Sequence, residues 1–157
     1  MRKKKIMFIS SSGGHLSEMM QLKSMFDKYE FCIITEKSPS TLYLKDKYKN
    51  SNFLIFGTKK QKFKYPFILL ANCFISLFYF IKYRPNFIIT TGAHTAGPMC
   101  CLGKIFFKKI IFIESYANRK TKTITGRIIY KFADLFVVQW DDMIELYDKA
   151  KCFGSIY

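Results

Sequence analysis

The sequence predicts an α/β fold: a Rossmann-like parallel sheet of about six strands with helices on both faces. Three observations carry this. Short β-rich runs alternate with longer helical stretches. Several strand runs are almost continuously apolar, as strands covered on both faces must be. Two loops rich in glycine and hydroxyls, each with a histidine, follow a strand and precede a helix. One domain, residues 1–157, accounts for the whole sequence. A chain of this length buries roughly 70% of its extended surface on folding.

Strands are expected at 5–10, 30–35, 52–56, 86–91, 109–114 and 135–139. Helices are expected at 15–28, 40–49, 66–83, 96–107, 123–132 and 141–149. Right-handed crossovers between such units give a parallel sheet, here in the order 3-2-1-4-5-6. There is no internal repeat and no linker. Half the residues are hydrophobic and 18% aromatic, which excludes a disordered chain.

The first strand runs into Ser10-Ser-Ser-Gly13-Gly14-His15-Leu16. Paired glycines permit a tight turn that exposes amide N–H groups, and a helix start adds partial positive charge, so a phosphate or diphosphate fits. A plain turn with Ser12 or a neighbour as N-cap fits equally well. The pattern is neither Gly-x-Gly-x-x-Gly nor a Walker loop. A second loop, Thr90-Thr91-Gly92-Ala93-His94-Thr95-Ala96-Gly97-Pro98, follows the fourth strand. Strands one and four flank the expected reversal of strand order, where open α/β sheets bind ligands. Both loops therefore belong to one candidate site.

His15 or His94 would serve as a general base or as a hydrogen-bond donor to phosphate. Glu114, ending the fifth strand in Ile113-Glu-Ser-Tyr116, would bind a sugar hydroxyl, orient a histidine, or simply sit solvated in a loop. His15 and Glu114 are the candidate catalytic groups. Trp140, the only tryptophan, fits strand-end packing, and Asp141 or Asp142 would cap the last helix. Spacing assigns no metal cluster and no cofactor. The five cysteines lack a Cys-x-x-Cys pair and read as buried thiols in a reducing compartment.

Lysine and arginine number 26 against 11 acids, a formal charge of +15 that attracts phosphates and anionic head groups. The cations are scattered and accompany no nucleic-acid motif, so nucleic acid is not an expected partner. Met1-Arg-Lys-Lys-Lys resembles the start of a signal peptide, but the apolar run behind it is too short for one.

The third helix is unusual. Residues 66–81 carry no charge, with Lys59, Lys60, Lys62 and Lys64 before them and Lys82 and Arg84 after. A bilayer span takes about 20 apolar residues, so the run is short. A crossover helix needs one apolar face, for which Leu70, Phe74, Leu77 and Ile81 would suffice. Phe67, Leu69, Phe78 and Phe80 then face a second apolar medium. With Lys82 and Arg84 beside them, that medium is expected to be an anionic membrane surface, or alternatively a partner subunit.

Taken in order, Ser11-Ser-Gly-Gly-His15, the stretch from Arg84 to Pro98, Ile113-Glu-Ser-Tyr116 and Ala133-Asp-Leu-Phe-Val-Val-Gln-Trp140 resemble a known family. It is the membrane-associated subunit of two-part N-acetylglucosaminyl- and galactosyltransferases, the PssD- or CpsF-like proteins of exopolysaccharide and capsule clusters. A eukaryotic relative extends dolichol-linked oligosaccharide, and the amino-terminal half of MurG is similar. The resemblance implies the acceptor half of a GT-B enzyme divided between two chains, with a catalytic partner subunit that binds the UDP-sugar. Gly13, Gly14, His15, Gly92, Ala93, His94 and Thr95 would hold the diphosphate of a polyprenyl-linked acceptor, and Glu114 would face the cleft. Phe153, Gly154, Ser155, Ile156 and Tyr157 would dock on the partner. The location implied is the cytoplasmic face of the cell membrane, peripherally, since the spanning helix that opens eukaryotic members is not expected here. A self-sufficient small glycosyltransferase or nucleotide-binding enzyme is the alternative, although a GT-B enzyme needs two such domains.

Overall fold

The computed structural model describes residues 3–56 and 63–157. Its strands are β1 (Lys5–Ile9), β2 (Glu30–Glu36), β3 (Ser51–Leu54), β4 (Phe87–Thr90), β5 (Lys109–Ile113), β6 (Leu135–Val138) and β7 (Lys151–Cys152). They form one sheet in the order β3-β2-β1-β4-β5-β6-β7, and every pair is parallel. The reversal falls between β1 and β4, as expected. Their register ends with Ile9 beside Thr90, so the two loops that follow start level with each other.

The helices are α1 (Gly14–Met20), continued by a 3-10 turn at Gln21–Met25, α2 (Tyr43–Lys47), α3 (Tyr65–Tyr83), α4 (Ala96–Ile105) and α5 (Ile124–Ile129). Successive side chains of a strand face opposite ways. Ile6 and Phe8 accordingly meet Leu16, Met19 and Leu44 from α1 and α2. Met7 and Ile9 join the opposite core, to which α3, α4 and α5 contribute Phe80, Met99, Cys100 and Ile129.

The expected helix at 141–149 is absent. A 3-10 turn, Asp141–Met143, leads through further turns into β7, which adds a strand to the six expected. Met143 and Tyr147 are both fully buried. Their four-residue spacing mimics a helical period, but successive turns achieve it (Leu146 N–H to Met143 O, 3.1 Å; Ala150 N–H to Tyr147 O, 2.9 Å). Asp142 pairs with Arg119 instead of capping a helix.

Helix α3 is a helix of 19 residues, long and apolar enough to cross a membrane, yet rotated from its expected setting. Leu70, Phe74 and Ile81, expected over the sheet, are 57%, 66% and 55% exposed. Phe80, expected outward, is buried against Phe106, and Leu69 is half-buried. Phe67 and Phe78 are exposed as expected. The sheet side of α3 is Asn72, Ser76 and Phe80. Asn72 explains the rotation: its carboxamide accepts from Ile55 N–H (2.8 Å) and donates to Ile55 O (2.9 Å), extending the edge beyond β3. Tyr83 adds a hydrogen bond from its ring end to Asn52. Lys82 and Arg84 are exposed at the helix end, and Lys59, Lys60 and Lys62 lie outside the described residues.

All five cysteines are free, and burial pushes the Cys32 thiol up to about 12. Cys101 is exposed rather than buried.

Candidate functional site

The loops after β1 and β4 are joined by a reciprocal pair of hydrogen bonds. His15 Nδ1–H donates to Thr91 O at 2.9 Å, and Thr91 Oγ1–H donates to His15 O at 2.6 Å. In a neutral imidazole this leaves Nε2 as the free acceptor. The turn after β4 needs left-handed backbone at both Gly92 (φ 107°) and Ala93 (φ 71°). A Cβ on Gly92 would sit 3.5 Å from the His15 ring and from Phe112. Strain held at a non-glycine residue is characteristic of functional loops.

No side chain caps α1, whose N-cap is Gly13 at φ 80°. Ser12, a candidate cap, is engaged elsewhere: its N–H and hydroxyl donate to Glu36 Oε2 at 3.3 and 3.2 Å. Glu36 ends β2, is 2% exposed, and holds its other oxygen 3.6 Å from His94 Nε2. Gly13 and Gly14 are exposed, with open space where a Cβ would stand. Thr95 is buried and its hydroxyl has no partner among the described residues, like those of Ser10 and Thr35 at the same end of the sheet. Buried polar atoms are rarely left so in a folded protein.

Below His94 the rim opens on an apolar groove of about 640 Å³ between α3, α4 and α5. Tyr65, 5.5 Å ring to ring from His94, stands at its head. Leu69, Phe74, Leu77, Ile105 and Ile128 line its walls. Leu69 thus belongs to this groove rather than to the outer face.

Glu114 does not face the cleft. Its side chain is buried under α5, where it accepts from Tyr147 Oη–H (2.9 Å), Thr123 Oγ1–H (3.0 Å) and Ser115 N–H (3.1 Å). Burial holds its carboxyl above the usual carboxylate range, against the pull of those donors. It pins the start of α5, because Thr123 in turn caps Gly126 N–H.

The segment 153–157 folds back on its own domain. Ile156 N–H donates to Gln139 Oε1 at 3.1 Å, and its side chain packs on the core. Tyr157 leans on Tyr116, while Phe153, Gly154 and Ser155 remain exposed.

The sequence reading missed Glu18 and Glu36. Glu36 carried a signal: an acid at the end of the second strand is where dinucleotide folds place a ligand-binding carboxylate. Glu18 follows His15 by three positions, on the same face of α1. It is 3% exposed and bonds to the loop after β5.

The sheet order, the joined loops at its reversal and the groove beside them define a Rossmann-like domain of the kind that forms one half of MurG and related GT-B proteins. Acinetobacter baumannii MurG superposes with a TM-score of 0.71 at 14% identity, covering 88% of this chain and 42% of its own. UDP-N-acetylglucosamine 2-epimerase from Rickettsia bellii superposes at 0.73 and 15% identity, covering 99% and 46%. The chain thus spans less than half of each. Residues 6–156 match the family described as "Oligosaccharide biosynthesis protein Alg14 like", and the chain belongs to that family. Among relatives, the UDP-N-acetylglucosamine transferase subunit alg14 of Schizosaccharomyces pombe is 28% identical over 98% of this chain and 83% of its own. The human subunit is 23% identical, covering 96% and 82%. That of Kluyveromyces lactis is 35% identical over 46% of this chain and only 34% of its own length.

Proposed function

We propose that this chain is the acceptor-side subunit of a two-chain UDP-sugar glycosyltransferase, acting on a polyprenyl-diphosphate-linked saccharide at the cytoplasmic face of a membrane. The observation that carries the reading is the junction at His94. A polar rim with two glycine loops and two histidines passes there directly into an apolar groove, a match for an amphiphile with an anionic head and a hydrocarbon tail. Gly13, Gly14, His15, Gly92, Ala93 and His94 hold the diphosphate, with Thr95 beneath them. Phe67, Phe78, Lys82 and Arg84 meet an anionic bilayer. Phe153 and Tyr157, exposed at the rim, meet a catalytic subunit that brings the UDP-sugar. Membership of the family, whose relatives are UDP-N-acetylglucosamine transferase subunits, supports N-acetylglucosaminyl transfer. A PssD- or CpsF-like role in exopolysaccharide or capsule assembly is the finer form of the proposal.

In the mechanism proposed, the partner supplies the donor and this chain holds the acceptor in place. With Nδ1–H fixed on Thr91 O, the neutral His15 presents Nε2 as acceptor for an acceptor hydroxyl proton; protonated, it donates to phosphate. The test mixes this chain, a candidate donor-domain partner, UDP-N-acetylglucosamine and a lipid-linked acceptor. Transfer is expected only from the complete mixture, and transfer by this chain alone would overturn the split. Gly14→Val should reduce transfer at least a hundredfold without changing the fold, because the new side chain enters open space in the cleft. Unimpaired transfer by that variant would remove the first loop from the acceptor site.

A further inference from the structure

Beside the start of α1, Gly14, His15, Glu18, Ser115, Tyr116 and Tyr157 line a second cavity of about 500 Å³, open to solvent. That is an ordinary size for a small-ligand site. Among the described residues Glu18 is the only acidic side chain in its wall. Oε1 is fixed by Ser115 Oγ–H (2.9 Å) and Tyr116 N–H (2.8 Å), while Oε2 is buried and has no hydrogen-bond partner among the described residues. Among the described residues no cation pairs with Glu18 and no metal-binding cluster includes it. A held carboxylate with one bare oxygen accepts hydrogen bonds and repels phosphate. Tyr116 and Tyr157 add aromatic rings to the lining. Tyr116 lies between Trp140 (4.7 Å ring to ring) and Tyr157 (5.4 Å), a cluster of flat aromatic rings on the same side of the domain as Glu18. Hydroxyl or amide donors on a ring with apolar C–H faces complement both features.

We propose that Glu18, with Tyr116 and Tyr157, forms a subsite for a sugar ring of the acceptor, Oε2 accepting a hydrogen bond from a sugar hydroxyl or acetamido N–H. The inference rests on the acceptor reading above. His15 and Glu18 share one face of α1 but reach different loops, after β4 and β5, so the sugar lies one loop along from the diphosphate.

Trp140 reports on the subsite: it is the sole tryptophan, and its Nε1–H donates to Tyr116 O at 2.8 Å. The full chain is titrated by tryptophan fluorescence with citronellyl diphosphate and with the same compound carrying one N-acetylglucosamine. The sugar should tighten binding about tenfold, as a hydrogen bond to a charged group does. Glu18→Gln should remove that gain without weakening the binding of the sugar-free compound. Glu18→Gln keeps an acceptor for Ser115 and Tyr116, and Tyr157→Ala, at an exposed residue, provides a second variant that should lower the gain without touching Glu18. Equal affinity for the two compounds in the wild-type chain, or a gain that survives Glu18→Gln, overturns the sugar subsite alone. No binding of either compound to the wild-type chain overturns the acceptor reading and the subsite with it.

Discussion

Helices α3 and α4 lie on the same face of the sheet and are held there by opposite means. Helix α4 is 10 residues long and buries Ala96, Met99, Cys100 and Gly103. Gly103 fits so closely that a Cβ would lie 2.5 Å from Ile88 Cδ1. Helix α3 is almost twice as long, buries only Asn72, Ser76 and Phe80, and turns Phe67, Leu70, Phe74, Phe78 and Ile81 outward. One helix is packed by shape; the other is pinned by polar groups and saves its apolar surface for something else. The position of Lys64 agrees with this. A cation at a helix N-terminus opposes the helix dipole, so it contributes to a surface rather than to the helix.

Four substitutions would break or sharpen that contrast. Gly103→Val should cost the most, about 3 kcal/mol in chemical denaturation, because the side chain must displace Ile88 and Ile110. A loss below half that would mean α4 is as loosely seated as α3. Asn72→Ala should cost about 2 kcal/mol, since it orphans the N–H and C=O of Ile55 together. Phe78→Glu should leave stability within about 0.5 kcal/mol but weaken sedimentation with anionic vesicles about tenfold. Unchanged vesicle binding would instead assign the outer face to a protein partner. The smallest effect is expected under α5. Because burial raises the Glu114 carboxyl from 4.5, its contribution to stability is complete below that pH and fades as pH rises through the higher folded value. The melting temperature of Glu114→Gln, followed from pH 4 to 8, should therefore fall less steeply than that of the native chain over the window above 4.5. Parallel curves would show that Glu114 titrates as an ordinary carboxylate.

The contrast also marks what a sequence discloses. The strands were legible because alternation of apolar runs with helical stretches is local, and the strand order came with the Rossmann-like class that those units define. The Gly13-Gly14-His15 and Gly92-Ala93-His94 loops were legible because glycine at a strand end serves a tight turn or the close approach of a ligand. The setting of α3 was not. Its large apolar residues run almost all the way round the helix, and the face that meets the sheet carries the polar pair Asn72 and Ser76 where an apolar stripe is expected. The three buried carboxylates were equally hidden. Ser115 lies 97 positions from Glu18, and Tyr147 lies 33 from Glu114. Glu36 carried only the positional signal of an acid at the end of the second strand, and Glu18 only its spacing from His15; neither discloses the burial. The last helix failed for a related reason: spacing reports which residues are buried, not whether one helix or several turns bury them.

The two hydrogen bonds between His15 and Thr91 have a consequence for how the rim handles protons. Nδ1 of His15 carries hydrogen toward Thr91 O whether the ring is neutral or cationic. The bond that ties the two loops therefore also decides which nitrogen of His15 is left to meet a ligand, so the shape of the rim and the acceptor it offers are set together.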